Sequence, residues 1–67
     1  MLLETEIFVV ASKARPTLFI REDGESTERL EDAQRFFTRG EAEASWNELD
    51  LKHTFEVWPL KITISNL

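Results

Sequence analysis

The chain of 67 residues has an apolar content of 42%, a formal net charge of −5 and no cysteine. The lack of cysteine excludes disulfides and thiolate zinc sites, and the single histidine excludes a metal site built from several histidines. So short a chain is expected to form one domain, residues 1–67, and to bury only about 60% of the surface that its unfolded form exposes. Oligomerisation is then the common means of stabilisation that remains open to such a small core.

The N-terminal residues predict no signal peptide, because the acidic Glu4 and Glu6 follow Met1 closely. The longest apolar run is about five residues, whereas a helix that crosses a membrane needs about 20. A chain without cysteine is compatible with the cytosol. We therefore expect a cytoplasmic protein that has no membrane segment.

The acidic residues are concentrated in one stretch, residues 22–32, which we call the acidic segment. It contains six acids and one base, and its net charge is −5, whereas the rest of the chain carries seven acids and seven bases. The acids of this segment are Glu22, Asp23, Glu25, Glu28, Glu31 and Asp32. This charge argues against direct nucleic-acid binding, which needs clustered Lys and Arg. It is compatible with docking on a basic protein surface, so we expect these six residues to bind a partner.

Two strands are predicted near the N-terminus, over residues 3–11 and 17–21, with a polar connection between them. A half-buried strand alternates apolar and polar residues, but residues 7–11 are apolar on both faces. We expect the two strands to form an antiparallel hairpin with a loop of about five residues.

The next stretch is ambiguous. Asp23-Gly24 indicates a turn. Ser26 or Thr27 could cap a short helix over residues 26–35, or the stretch could be a helical turn that straightens into a short strand at residues 35–37. We favour the turn followed by the short strand.

Thr38 and Glu41 have the spacing of a capping box and predict the start of a helix. Phe37 before the cap and Ala42 in the helix have the spacing of a hydrophobic staple. The helix is expected to run to about Leu49. Its apolar stripe would consist of Ala42, Trp46 and Leu49.

The C-terminal part of the chain predicts β structure. Residues 53–58 alternate, and so do residues 60–65. Pro59 lies between them, lacks a backbone N–H and suggests an edge position, a bend or a bulge. The pattern is compatible with one long bent strand or with two strands.

These elements predict an α+β domain, with a small antiparallel sheet of about three to five strands, one main helix on one face and the order ββ(β)αβ. The residues expected beneath the helix are Ile7, Val9, Leu18, Ile20, Ala42, Trp46, Leu49, Phe55 and Val57. The opposite face would then show Phe8, Val10, Phe19 and Trp58 as a surface for a second copy or a partner. The alternative is that residues 26–36, or a folded-over C-terminal strand, cover this face within one chain.

No catalytic, cofactor-binding or metal-binding residues are predicted. His53 has no nucleophile or carboxylate near it in a recognisable pair. Gly24 and Gly40 are the only glycines, so the chain has no glycine-rich phosphate loop. Residues 22–25 supply oxygen ligands but lack the 12-residue arrangement of an EF-hand. We therefore expect a protein that is not an enzyme.

Residues 32–44, Asp-Ala-Gln-Arg-Phe-Phe-Thr-Arg-Gly-Glu-Ala-Glu-Ala, are followed by a Val-containing strand. This pattern, from about Asp32 to Val57, resembles one common in short, mostly uncharacterised accessory proteins of phages and mobile elements. The resemblance implies an accessory protein that binds, and often inhibits, a host enzyme or defence complex.

The combined expectation is a non-enzymatic acidic protein that modulates a larger macromolecular partner in the host cytoplasm, with inhibition as the favoured form of modulation. An inhibitor of CRISPR or restriction machinery is one form of it. The alternative is a homo-oligomeric, dimeric structural or regulatory subunit whose acidic segment has no inhibitory role.

Overall fold

The computed structural model describes residues 2–50 and 52–65. Its four strands form one antiparallel sheet in the order β3-β2-β1-β4, and one α-helix packs on it. The elements in chain order are β1 (Leu2–Ser12), β2 (Phe19–Ile20), β3 (Ser26–Thr27), a 3-10 turn (Leu30–Asp32), α1 (Arg39–Asn47), a second 3-10 turn (Lys52–Thr54) and β4 (Phe55–Ser65). The α+β class predicted from the sequence is confirmed.

The long strands β1 and β4 pair over their whole length, from Leu2 opposite Ser65 to Ser12 opposite Phe55. The C-terminal residues thus form one strand rather than two, and this strand continues through Pro59.

Pro59 is tolerated within this strand because of the hydrogen bonds of its partner, Phe8. The backbone N–H of Phe8 donates to the Phe36 carbonyl (2.8 Å), and the Phe8 carbonyl accepts from the Phe36 N–H (2.9 Å). Both polar groups of Phe8 are therefore directed away from β4, and the pair Phe8–Pro59 needs no hydrogen bond. The nitrogen of Pro59 lies on the open edge of the sheet, so the predicted edge position is confirmed.

The predicted β1–β2 hairpin is confirmed, with Ala11 opposite Phe19, but β2 is shorter than the predicted strand. The Ser12 N–H donates to the Leu18 carbonyl (2.7 Å), and the Ser12 hydroxyl accepts from the Leu18 N–H (2.8 Å). The Leu18 N–H is thus bonded to the Ser12 side chain rather than to a backbone carbonyl, and regular strand pairing ends there. The peptide bond between Arg15 and Pro16 in the connecting loop is cis.

A third strand exists, but it is not at residues 35–37, where the sequence placed it. The turn at Asp23-Gly24 folds β3 back on β2 instead. The Arg21 N–H donates to the Glu25 carbonyl (2.8 Å), and Gly24 has a φ of 87°, which glycine adopts without strain. The 3-10 turn then leads to Phe36, whose pairing with Phe8 is an isolated bridge. A helical turn before an extended segment was thus predicted correctly, but the segment makes one bridge rather than a strand.

Thr38 caps α1 as predicted. Its hydroxyl oxygen accepts from the Glu41 N–H (3.2 Å), and the hydroxyl also lies 3.2 Å from the Glu41 carboxylate, to which it donates. The helix ends at Asn47, two residues before the predicted end. Phe37 is 72% exposed, so the predicted staple between Phe37 and Ala42 provides little apolar cover.

The helix lies on the face of β1 that was predicted to be open. The Arg39 guanidinium stacks over the Phe8 ring at 5.1 Å, and Ala42 is completely buried. Ile7 and Val9, predicted beneath the helix, belong to the opposite face. Strand periodicity shows which residues share a face, but it does not show which face receives the helix.

The opposite face has its own core, covered by the chain itself. The buried residues of this cluster are Ile7, Val9, Ala11, Phe19 and Ala33, and Trp58, Leu60 and Ile62 pack against it. Ala33 belongs to the segment after the 3-10 turn, which is held to the sheet because the Gln34 N–H donates to the Ile20 carbonyl (3.0 Å). The alternative in which residues 26–36 help to cover the face away from the helix therefore holds for Phe19, but Phe8 and Val10, which it placed on that face, lie beneath α1 instead.

The prediction of an uncovered sheet face is wrong. Phe8 is 7% exposed, Val10 1% and Phe19 7%, whereas Trp58 is half-buried. The rings of Phe19 and Trp58 pack edge to face, with centroids 5.8 Å apart and planes at 82°. Phe8 and Val10 lie on the helix side, and Phe19 and Trp58 lie on the other, so these four residues do not form a common surface.

We expect Phe19→Ala to lower the free energy of unfolding by about 3–5 kcal/mol, because it leaves a cavity and removes the contact with Trp58. A core of this size supplies only about 3–5 kcal/mol in total, so this variant should be largely unfolded. The milder Phe19→Leu should lose about 1–2 kcal/mol in urea unfolding followed by circular dichroism. The control Phe37→Leu, at an exposed position, should change stability by less than about 0.5 kcal/mol. A Phe19→Leu variant as stable as the wild type would contradict the packing described.

Candidate acidic binding surface

The acidic segment is displayed at the surface by the β2–β3 hairpin and the first 3-10 turn. Thr27 is half-buried, and every other residue of the segment is exposed. The structure thus places all six predicted acids in solvent: Glu22, Asp23, Glu25, Glu28, Glu31 and Asp32.

Short-range hydrogen bonds hold the backbone of this segment in one path. The Asp23 carboxylate accepts from the Glu25 N–H (3.0 Å), which is the local bonding that Asp favours in turns. The Thr27 hydroxyl accepts from the Arg29 N–H (3.1 Å) in the same way. Together with the β2–β3 pairing, these bonds give a defined course to the backbone that carries the acidic side chains.

Two arginines partly neutralise three of the six acids. Arg21 pairs with Asp23 at 3.2 Å, and Arg29 pairs with Glu31 at 3.0 Å and with Asp32 at 3.5 Å. All of these side chains are well exposed, so the pairs contribute little to stability. The remaining acids, Glu22, Glu25 and Glu28, have no ion-pair partner within residues 2–50 and 52–65, and their negative charge is available to a cationic partner.

The pKa of the Glu31 carboxyl is lowered from its ordinary value. The main cause is a hydrogen bond from the backbone at Glu31 itself, and the second is the Arg29 side chain, whose Nε donates to the carboxylate at 3.1 Å. Because the pKa is lower in the folded state, this group stabilises the fold above its unfolded pKa. The contribution is lost as the pH falls through the folded pKa.

We expect Arg29→Gln to raise the pKa of Glu31, because it removes both a hydrogen-bond donor and a positive charge. The rise should be incomplete, since the backbone hydrogen bond remains. A titration of the Glu31 side-chain carboxyl followed by carbon-13 NMR measures the change. A control variant, Arg15→Gln, removes an arginine outside the acidic segment and should leave the Glu31 midpoint in place. An unchanged midpoint in Arg29→Gln would contradict the pairing described.

An open cleft of about 570 Å³ lies between the β2–β3 hairpin and the C-terminal half of α1. Its apolar lining includes Ile20, Phe36 and Leu49. The acidic side chains that line it are Glu22, Glu48 and Asp50. The cleft therefore extends the negative surface beyond the acidic segment.

Glu48 and Asp50 were missed as site residues in the sequence analysis. The sequence does carry a signal that singles out these two acids, although it does not show that they meet Glu22. Both acids lie at the C-terminal end of α1, and the last turn of the helix has no basic residue. Negative charge is unfavourable there, because the carbonyl end of a helix already carries partial negative charge. The fold brings these two acids opposite Glu22 of the hairpin.

The single histidine and the two acids of the first strand lie apart from this surface. His53 is exposed in the second 3-10 turn. Glu4 and Glu6 are exposed on β1, where Glu6 is opposite Lys61. Within the described ranges, no group of three or more His, Asp or Glu side chains is arranged to hold a metal ion.

Trp46 has a structural role in the helix that borders the cleft. Its indole Nε1 donates to the carbonyls of Lys52 (2.8 Å) and Phe55 (2.9 Å). The Lys52 ammonium lies 5.4 Å from the centre of the indole ring and donates to the Asn47 side chain (3.2 Å). These contacts fix the end of α1 against the start of β4, and so position one wall of the cleft.

No protein-family model matches the chain, and comparisons with curated proteins and with solved structures likewise give no match. In the described part of the chain, no helix has the length and apolar character needed to cross a membrane.

Proposed function

We propose that this chain is a non-enzymatic binding protein that modulates, and specifically inhibits, a larger macromolecular partner with a basic surface. The observation that carries the proposal is the display of six carboxylates on a hydrogen-bonded hairpin and turn, three of them without an ion-pair partner in the described residues. A cationic site on the partner would replace solvent and counterions around these groups.

The charge distribution suits recognition of a basic surface. The acidic segment accounts for a net charge of −5, which equals the formal net charge of the whole chain. Charged surfaces of opposite sign accelerate encounter and select against wrong partners. Exposed charges are screened over about 8 Å at physiological ionic strength, so binding through this surface should weaken as salt is added.

Inhibition follows if the basic site on the partner is one that the partner needs for its own ligand, such as a nucleic-acid-binding groove. Six acids are too few to imitate a long nucleic acid, but they are enough to block a local basic site. The resemblance of residues 32–57 to phage and mobile-element accessory proteins supports an anti-defence role in the host cytoplasm, for instance against CRISPR or restriction machinery. Direct nucleic-acid binding is disfavoured further, because the rings of Phe8 and Phe19, which could have stacked on bases, are buried.

The charge-reversed variant Glu25→Lys with Glu28→Lys should lose its partner, because the unpaired carboxylates become cations. We expect the tagged wild type to retain a basic protein from a lysate of the source or host cell. The variant should retain at least about tenfold less of it, a loss of about 1.4 kcal/mol. Quantitative mass spectrometry of the captured proteins measures the loss, and titration calorimetry with the purified partner at two salt concentrations confirms it.

The matched control is Glu4→Lys with Glu43→Lys, which changes the net charge equally at exposed positions outside the acidic segment and the cleft. This control should bind like the wild type. If both variants lose the partner equally, net charge rather than the acidic segment is responsible, and the proposal fails. If the purified partner binds but keeps its full activity, the inhibitory part of the proposal fails.

The alternative is a homo-oligomeric structural or regulatory subunit, and one observation favours it. Leu3 is 48% exposed and Leu30 is 43% exposed, and Leu30 borders a groove of about 280 Å³ on the face of the sheet away from α1. The other apolar residues that line this groove are Ile7, Val9, Leu60 and Ile62. A second copy could cover this surface, although the face first predicted for self-association is buried.

Sedimentation velocity tests this alternative. It predicts a dimer for the wild type and a monomer for Leu30→Asp, with unchanged circular dichroism, because a charge at the dimer contact opposes association. The control Phe37→Asp, at an exposed site outside the groove, should remain dimeric. A wild type that sediments strictly as a monomer at high concentration would exclude the alternative.

A further inference from the structure

We propose that the cleft between the β2–β3 hairpin and α1 binds a short basic peptide segment of the partner, with one large apolar side chain in the cleft and Lys or Arg on either side of it. This inference rests on the proposed function and names the chemistry of the partner. It makes the cleft, rather than the acidic segment alone, the source of specificity.

The apolar lining of the cleft suits a hydrophobic side chain. Ile20 is 8% exposed, and Phe36 and Leu49 are half-buried. The two helix residues that line the cleft between these walls, Ala44 and Ser45, are small and leave it open. Its volume, about 570 Å³, lies within the range of about 300–1,000 Å³ that is typical of ligand sites. Such a cleft is larger than a single cation needs and can hold an aromatic side chain with its neighbours.

The charged groups at the cleft favour a cation and oppose an anion. Glu22 lies on the hairpin side, and Glu48 and Asp50 lie on the helix side. The basic residue in the lining, Arg21, is paired with Asp23 at 3.2 Å. The C-terminal end of α1 adds the partial negative charge of its carbonyls. A peptide whose cations flank its apolar residue would place positive charge near both walls.

The negative surface continues from the cleft into the acidic segment. Arg21 and Glu22 also line a second, smaller depression with Asp23 and Asp32. An extended peptide that leaves the cleft on the hairpin side would therefore meet further carboxylates. Electrostatic attraction alone would accept many basic sequences, whereas the cleft adds a requirement for an apolar residue among the cations.

Two synthetic peptides of equal charge test the inference, Gly-Lys-Lys-Phe-Lys-Lys-Gly and Gly-Lys-Lys-Gly-Lys-Lys-Gly. In nitrogen-15 NMR titrations, the Phe-containing peptide should shift the backbone signals of Ile20, Ser45 and Leu49, which line the cleft outside the acidic segment. It should also bind about tenfold more tightly than the Gly-containing peptide, because its ring loses contact with water.

The variant Ala44→Phe fills the cleft without changing charge, and it should abolish the difference between the two peptides. Gly40→Phe is the matched control, since Gly40 is an exposed position of the same helix, does not line the cleft and has open space at its Cβ position. This control should retain the tenfold preference.

Equal affinities, with signal changes confined to the acidic segment, would overturn the inference and leave the proposed function standing. Failure of both peptides to bind at low salt would also overturn it. Failure of the proposed function is distinguishable, because it is measured with the captured partner and the Glu25→Lys, Glu28→Lys variant. A partner that binds this variant as well as the wild type would remove the proposed function whatever the peptides do.

Discussion

Two backbone hydrogen bonds, which join Phe8 to Phe36 at 2.8 and 2.9 Å, are the contact on which the rest of the molecule depends. They tie the segment after the first 3-10 turn to the middle of β1. On one side of this junction, Ala33 closes the core beneath the sheet, and on the other side Thr38 starts the helix that covers Phe8. A strand that is apolar on both faces is thus enclosed by a chain of only 67 residues. The same junction directs the polar groups of Phe8 away from β4, which allows Pro59 to lie opposite it.

The elements that the sequence predicted correctly depend on local chemistry. Thr38 caps the helix, Asp23-Gly24 makes the turn and Pro59 takes the open edge, because each of these residues favours its conformation through its own backbone or side chain. The features that were wrong depend on contacts between distant parts of the chain. The side of β1 that receives the helix follows from how residues 28–37 cross the sheet, and on the same path Phe36 makes one bridge instead of the strand predicted at residues 35–37. This path is not encoded in the alternation of any single strand.

Some residues of the candidate site could likewise be predicted from local sequence, whereas others are brought together only by the fold. The six acids of the acidic segment could be predicted to be exposed, because their local density leaves them no apolar environment. Glu48 and Asp50 could not be joined to them from sequence, since they lie more than fifteen residues further along the chain and meet Glu22 only across the folded cleft. The predicted sheet-face residues failed as a surface for the opposite reason. Phe8, Val10 and Phe19 are large and apolar, and the fold uses each of them for its own core.

The position of Pro59 has a consequence for the behaviour of the protein at high concentration. β4 is an edge strand of eleven residues, and a long exposed edge is a template on which strands of other molecules can stack into fibrils. The ring of Pro59 interrupts the row of donors near the middle of this edge, so that an incoming strand cannot form a continuous ladder along it. Pro59, which β4 accommodates within one molecule, therefore discourages fibrillar assembly between molecules.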